Sequence, residues 1–348
     1  MKCNHKEEVI RLVLINQIRF GRQILPLTLV IMICVFLIGC GGKKTKVYRV
    51  GILSGAGAFV NIKDSLKDGM TKLGYVEGKN IVYDVQELNE NPVGEQQVLK
   101  KFVADKVDLI FVFPTEPALA AKAATRKTNI PVVFAMGTIE DTGLVESVRQ
   151  PGGNITGVRF NGPDVIVKGL EILLELAPNT KRIWIIHDTN YPAGISSMEA
   201  LRSAASLRGV TLVETNVDSL GSLNAAIEAR DKLSDIGIDA INLIPDVITL
   251  SPAGFAMISK FAYEHRVPIC GGAAFAVRQG SVFTTIPDNV EMGRLAAPLV
   301  DKIFKGILAG TIPVVTPESH LHINYKRIQE LGLEVSEGLL SRADEIIR

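Results

Sequence analysis

The sequence predicts an α/β protein of two doubly wound lobes, each built on a parallel sheet. Short, strongly apolar runs alternate with segments whose apolar residues recur at helical spacing, which is typical of right-handed βαβ units. Glycine-rich breaks at residues 150–157 and 271–272 interrupt this alternation. The chain has 348 residues, and single hydrophobic cores stop growing at about 250–300 residues, so two lobes are expected.

The first strand–helix series lies before the break at residues 150–157. Continuous apolar runs such as residues 107–113 (Val-Asp-Leu-Ile-Phe-Val-Phe) indicate strands that are buried on both faces. Apolar residues recur about every 3.6 residues from Ile62 to Leu73, which predicts a helix that ends at Gly74. Strands are therefore predicted at residues 47–53, 80–85, 107–113 and 130–135, with helices between them.

The second series begins with a short strand at residues 155–159 and a helix at residues 164–176, which ends before Pro178. The same alternation then continues to the C-terminus. Further strands are predicted at residues 182–187, 210–215, 239–244, 267–270, 281–286 and 320–324. Further helices are predicted at residues 195–207, 222–233, 253–264 and 292–308, followed by a helical C-terminus.

The N-terminus has the parts of a secretory signal peptide. Arg19 and Arg22 precede an apolar run of about 15 residues that leads to Gly39-Cys40, whereas a membrane span needs about 20 residues. A cysteine directly after a small residue is typical of a lipoprotein signal, in which Cys40 receives a lipid such as palmitate. We expect a signal peptide at residues 1–39, a linker at residues 40–46, and a protein anchored by lipid on the extracytoplasmic (periplasmic or outer) face of the cell membrane.

Composition argues against several classes of function. Removal of residues 1–39 takes away five basic and two acidic residues and leaves 33 basic and 35 acidic ones, so a nucleic-acid partner is not expected. Cys270 is then the one cysteine besides Cys40, which excludes a disulfide framework. The sequence has no P-loop and no nucleophile–base spacing, and His320 and His322 lack a third ligand. We therefore expect no enzyme, no cofactor and no metal.

Two motifs carry a family resemblance. They are residues 73–80 (Leu-Gly-Tyr-Val-Glu-Gly-Lys-Asn) and residues 150–157 (Gln-Pro-Gly-Gly-Asn-Ile-Thr-Gly). Two later segments, residues 324–332 and 339–346, add to the resemblance. With these motifs the chain resembles, from about residue 47 to its end, the ABC-transporter substrate-binding protein family that includes tryptophan- and tyrosine-binding lipoproteins.

The resemblance implies a type I periplasmic-binding fold, in which two lobes are joined by a three-segment hinge and close on a ligand. It implies an N-lobe of residues 47–157 and 280–311 and a C-lobe of residues 158–279 and 312–348. The implied function is a monomeric solute-binding protein of an ABC importer, which delivers its solute to a membrane permease powered by an ATPase. An exported ligand-sensing subunit of the same fold, signalling to a membrane receptor, is the alternative.

The ligand site is predicted from topology, because doubly wound sheets bind ligands outside the carboxyl ends of their strands. Ser54 and Thr115 offer hydroxyl groups beside helix N-termini, which favour an anion such as a carboxylate. Phe59 and Tyr191 are candidates for stacking on an apolar ligand body, and Asp246 for pairing with an ammonium. The alternatives are a core anchor for Phe59 and turn residues for Asp188 and Asp246. The predicted ligand-binding residues are Ser54, Gly55, Phe59, Thr115, Gly137, Asp188, Tyr191, Asp246 and Gly272.

Two loops differ from those of better-known amino-acid binders of this family. Residues 244–249 (Ile-Pro-Asp-Val-Ile-Thr) replace a Pro-Thr-Asp-Asn type segment, and residues 271–276 contain no acidic residue. Both differences argue against a free amino acid as the ligand. The expected partner is thus a small-molecule solute, either amino-acid-like or a small organic acid.

Cys40→Ala should transfer the protein from the membrane fraction to the soluble fraction, because the thiol that accepts the lipid is removed. Cell fractionation of the wild type and the variant measures this. Cys270→Ala is the control and should stay with the membranes. Tight membrane association of Cys40→Ala would contradict the lipid anchor.

Overall fold

The computed structural model describes residues 46–55, 59–88, 92–189, 191–244 and 246–348. Cys40, the predicted signal peptide at residues 1–39 and the linker up to residue 45 lie outside the described residues. Across these ranges, no helix has the combination of length and apolar character that a membrane crossing requires.

The first part of the chain forms a five-stranded parallel sheet with the order β2-β1-β3-β4-β5. Its central strands are buried at every residue of β3 and β4, as expected for strands covered by helices on both faces. The elements are β1 (Tyr48–Ser54), α1 (Val60–Lys72), β2 (Ile81–Glu87), α2 (Pro92–Ala104), β3 (Leu109–Phe113), α3 (Thr115–Thr125), β4 (Val132–Gly137) and β5 (Ile155–Arg159).

The second part forms a seven-stranded sheet with the order β12-β11-β10-β9-β8-β6-β7, in which only the β10–β11 pair is antiparallel. Its elements are α4 (Gly162–Leu176), β6 (Arg182–His187), α5 (Pro192–Leu207), β7 (Thr211–Asn216), α6 (Leu220–Asp231), β8 (Ala240–Leu243), α7 (Pro252–Glu264), β9 (Ile269–Gly271), α8 (Ala274–Arg278), β10 (Phe283–Ile286), α9 (Asn289–Phe304), β11 (His320–Asn324), α10 (Tyr325–Leu331), α11 (Glu337–Ser341) and β12 (Glu345–Ile347). The two parallel-dominated sheets confirm the predicted fold class.

Helix α9 leaves the second sheet and packs against α1 of the first. Gly293 allows this close approach, because a Cβ atom at this position would overlap the Ile62 carbonyl and the Ser65 hydroxyl. Met292, Ala296 and other buried residues of α9 join the same hydrophobic cluster as β1 and β3. The chain therefore passes between the sheets three times: after β5, between β10 and α9, and before β11.

Sheet membership differs from the expected lobe boundaries at three places, and the boundaries themselves stay a prediction. Residues 280–311 are expected in the N-lobe, yet β10 pairs with β9 and β11 of the seven-stranded sheet. Residues 158–159 belong to β5 of the five-stranded sheet. Residues 312–348 are expected in the C-lobe, yet Val315 lies along β5: its N–H donates to the Gly157 carbonyl and its carbonyl accepts from the Arg159 N–H, both at 2.9 Å. The apolar pattern identifies these segments as extended but does not specify the neighbouring strand.

Most predicted elements are present within a few residues, and β5, β6 and β11 have the predicted bounds. Helix α9 begins earlier than predicted because the Asp288 side chain accepts from the Val290 N–H at 2.7 Å, and it ends before Gly306, which has a φ of 94°. The predicted helical C-terminus is wrong in part, since β12 follows two short helices. Helix α8 is not predicted.

Candidate functional site

An open cavity lies where the two sheets meet, and the space in it is about 830 Å³ when the open solvent at its mouth is included. Its walls come from the ends of β4, β8 and β9, from the segments that follow β1, β3, β4, β5, β6, β8 and β9, and from β10 and α4. These segments lie at the carboxyl ends of parallel strands, where doubly wound sheets bind ligands. The cavity therefore occupies the position that the topology predicts.

On the side of the five-stranded sheet, the loop after β4 is held against the start of α3. Met136 has a φ of 53°, at the point where the pairing of β4 with β5 changes register. The N–H of Thr138 donates to the Thr115 hydroxyl oxygen at 3.0 Å. Thr115 and Thr138 are each only 1% exposed, and both line the cavity. This hydrogen bond fixes the two loops to each other.

On the side of the seven-stranded sheet, the wall is formed by the end of β8 and the turn after β9. Gly271 and Gly272 have φ values of 78° and 86°, which favour glycine. A Cβ atom on Gly271 would lie 3.0 Å from the Asn242 Oδ1 atom, so this turn packs directly on the Asn242 side chain. Asn242 lines the cavity and is fully buried.

The walls are mainly apolar. They include the rings of Phe59, Phe160 and Tyr191 and the side chains of Leu243 and Ile244, and none of the described lining residues is charged. Two buried lining groups have no protein hydrogen-bond partner among the described residues: both amide atoms of Asn242 and the hydroxyl of Thr138. The site is therefore suited to an apolar body with neutral polar groups.

Phe59, Thr115, Tyr191 and Gly272 are the predicted site residues that lie in the cavity wall. Tyr191 also approaches the opposite side of the cleft, since its hydroxyl donates to Glu116 Oε2 at 3.5 Å. Glu116 is the second residue of α3, so this bond joins α3 to the loop after β6. Near it, burial and then the Glu116 charge raise the pKa of the Glu95 carboxyl.

Ser54, Gly55 and Gly137 are not among the described residues that line the cavity. The Gly55 N–H donates to the Phe113 carbonyl at 2.9 Å, and a Cβ atom on Gly55 would lie 2.5 Å from Pro117. A Cβ atom on Gly137 would lie 2.7 Å from the Phe134 ring. Close packing explains why glycine occupies these two positions. Ser54 is the last residue of β1 and is buried.

Asp188 and Asp246 are also outside the lining, and both have a structural role in the loops after β6 and β8. Asp246 is 3% exposed. Its Oδ2 accepts from the Asp188 N–H at 2.7 Å, and its Oδ1 accepts from the N–H groups of Ile248 and Thr249 at 2.8 and 2.9 Å. The Thr249 hydroxyl is a fourth donor, at 3.3 Å. The carboxylate thus orders two loops, and its predicted pairing with a ligand ammonium stays a prediction.

Sequence reasoning missed Asn242, Phe160 and the threonines of β10, and it selected Gly137 where Thr138 is the lining residue. A signal for Asn242 is present in the sequence, because an amide side chain interrupts the apolar run of a strand predicted to be buried. Thr284 and Thr285 reach the site because β10 joins the seven-stranded sheet, which the sequence pattern does not specify.

The remaining candidate groups are structural. Cys270 is fully buried, and burial raises the pKa of its thiol. His320 lies between Glu291 and Asp344, at 3.3 and 3.2 Å, and its pKa is raised first by the hydrogen bond to Asp344. In the described part of the chain, no group of three or more histidine, cysteine or acidic residues is arranged to hold a metal ion.

The two sheets, their three connections and the cavity between them define a solute-binding protein. The sequence profile described as ABC transporter substrate binding protein matches residues 49–347. The chain therefore belongs to the ABC transporter substrate-binding protein family, which confirms the predicted resemblance. Members of this family act outside the cytoplasm and bind solutes; they are not enzymes, as expected from the sequence.

Individual relatives agree with this assignment. The tyrosine-binding protein of Clostridioides difficile (strain R20291) is 30% identical over 278 residues, which are 78% of this chain and 77% of that protein. A ligand-free, open substrate-binding protein with adhesive properties from Clostridium difficile has a TM-score of 0.68 at 25% identity, over 86% of this chain and 99% of its own. The ABC domain from Streptococcus pneumonia in complex with L-Trp has a TM-score of 0.77 at 23% identity, over 87% of this chain and 100% of its own, and shares the fold.

Asp246→Ala should lower the free energy of unfolding by about 2–4 kcal/mol, because one buried and two half-buried backbone N–H groups lose their acceptor. Urea unfolding of the ligand-free protein measures the loss. Asp246→Asn should have a smaller effect, since it keeps one acceptor oxygen. The exposed Asp64 gives a control variant, Asp64→Ala, which should change little. Unchanged stability of Asp246→Ala would contradict the structural role of this carboxylate.

Proposed function

We propose that the protein is an extracytoplasmic solute-binding lipoprotein of an ABC importer. It captures one small organic solute in the cavity between the two sheets and delivers it to a membrane permease. The lobes consist of the five-stranded sheet with its helices and α9, and of the seven-stranded sheet with its helices. Closure of one lobe against the other retains the solute.

The observation that carries this proposal is the cavity with walls from both sheets. Thr115 and Thr138 come from one sheet, whereas Asn242 and Gly272 come from the other. A solute in contact with both walls stabilises the closed arrangement over an open one, because it gains its full set of contacts only when the lobes meet. This differential binding is what a capture protein requires.

Lipid anchoring at Cys40 is part of the proposal and rests on the sequence. The short apolar run and the Gly39-Cys40 junction support it. An anchor keeps the binding domain near the permease and raises its effective concentration there.

The ligand is proposed to have an aromatic or similarly flat apolar body. The rings of Phe59, Phe160 and Tyr191 in the cavity wall support stacking on such a body. The tyrosine-binding relative at 30% identity supports a ligand of comparable size. None of the described lining residues is charged, so the rings support an apolar ligand body but do not specify the polar group of the ligand.

A thermal-shift screen tests the capture function. Protein is stripped of ligand by unfolding and refolding, then screened with amino acids, aromatic acids, aromatic amides and short carboxylates. A solute at 100 times its Kd should add about 2.7 kcal/mol to the stability of the native state and raise Tm.

A blocked cavity is the matched control for this screen. Gly169 is a buried residue of α4 in the cavity wall, and a Cβ atom added there has no neighbour within 4 Å. Gly169→Leu should therefore place an apolar side chain in the cavity and abolish the shift. Gly221→Leu, on the surface helix α6, should keep it. Equal shifts in Gly169→Leu and the wild type, or no shift with any compound, would contradict capture at this site.

A further inference from the structure

We infer that the solute is recognised through a neutral group that both donates and accepts hydrogen bonds, such as a carboxamide or lactam, and that Asn242 and Thr138 are its polar partners. This inference rests on the proposed function and specifies the chemistry of the same site. It excludes a free ammonium as the group that fixes the ligand.

The unpaired amide of Asn242 is the strongest support for this inference. It lies in β8, whose four residues are all buried, and its own exposed fraction is 0%. Neither Oδ1 nor Nδ2 has a hydrogen-bond partner among the described residues, although the side chain lines the cavity. Buried amides are nearly always paired, since loss of water without a new partner is unfavourable. An unpaired amide in the wall of a binding cavity is therefore assigned to the ligand.

Asn242 also indicates which chemical group it pairs with. Its amide presents one acceptor and two donor hydrogens. A ligand carboxamide or lactam presents the complementary donor and acceptor side by side and can form two hydrogen bonds with it. An ammonium alone offers only donors and a carboxylate alone only acceptors, so a ligand with just one of these groups leaves one end of the Asn242 amide unpaired.

Thr138 supplies a polar group from the opposite wall. Its hydroxyl is buried, lines the cavity, and has no partner among the described residues. Its backbone N–H is already bonded to Thr115, so the residue is held in place while its hydroxyl stays available. A solute bonded to Thr138 and Asn242 contacts both lobes through neutral groups.

Charge complementarity in the wall argues against an ammonium. Among the described residues, the carboxylates of Asp246, Glu116 and Asp164 lie near lining residues in sequence but are not in the lining itself. Asp246 accepts from four loop donors, Glu116 accepts from the Tyr191 hydroxyl, and Asp164 accepts from the Asn161 amide. A charged group buried without an opposite charge is strongly unfavourable. Thr115 lines the cavity at the N-terminus of α3, and a helix N-terminus favours an anion. A ligand carboxylate is therefore the alternative to the neutral amide group.

Four probes with one common body separate these cases. They are 3-(4-hydroxyphenyl)propanamide, which is neutral, 3-(4-hydroxyphenyl)propionate, which is anionic, tyramine, which is cationic, and the zwitterion L-tyrosine. Calorimetric titration of the ligand-stripped protein should give the lowest Kd for the propanamide. Asn242→Leu should raise that Kd by about 10–100-fold and Thr138→Val by about 3–10-fold, while Gly221→Leu leaves it unchanged.

The ligand-free protein gives a second readout that needs no ligand. Asn242→Leu replaces an unpaired buried amide by an apolar side chain of similar shape, so its Tm should rise above that of the wild type. An amide that serves the fold would instead lower Tm when replaced.

Two results are required: a higher Kd of Asn242→Leu and Thr138→Val for the propanamide, and a higher Tm of ligand-free Asn242→Leu. Failure of either one overturns the inference. A lower Kd for L-tyrosine, tyramine or the propionate than for the propanamide also overturns it. In those cases the capture function still stands if Gly169→Leu abolishes binding of the preferred probe. Absence of binding by all four probes overturns the assigned chemistry, and the wider thermal-shift screen then decides the capture function separately.

Discussion

The polarity of parallel strands is the constraint on which the structure depends. All strands of a parallel sheet end at the same edge, so loops with freely varying side chains collect there. Here two such edges face each other, because the chain passes between the sheets after β5, before α9 and before β11. The third passage follows the pairing of Val315 with β5, and the second follows β10. The cavity is a consequence of this topology.

The sequence predicts the elements well because buried parallel strands have a strong signature. The runs that form β3, β4 and β6 are apolar at nearly every position, and turn residues separate them from the helices. Assignment of a strand to a sheet is different, since it depends on contacts between distant residues. The apolar pattern of the segment that forms β10 would be the same in either sheet. Likewise, no local sequence pattern indicates the close packing of Gly293 on α1.

The same distinction applies to the site. Topology identifies the correct loops, and Thr115, Tyr191 and Gly272 lie in the wall for that reason. It does not identify which side chain of a loop points into the cavity. Asp246 is polar, well placed in sequence and buried, yet its oxygens are directed to backbone donors. Asn242 belongs to a strand, so a rule that selects loop residues does not select it. An amide within an apolar strand is nevertheless a signal of a functional residue.

The central claim is that one solute lies between the two sheets and contacts both. A crystal structure of the protein bound to its tightest solute tests this most directly. We expect the solute in the cavity, with its apolar body against Phe59, Phe160 or Tyr191 and a polar group within hydrogen-bond distance of Asn242. A solute bound outside this cavity, or one that contacts a single lobe, would contradict the account.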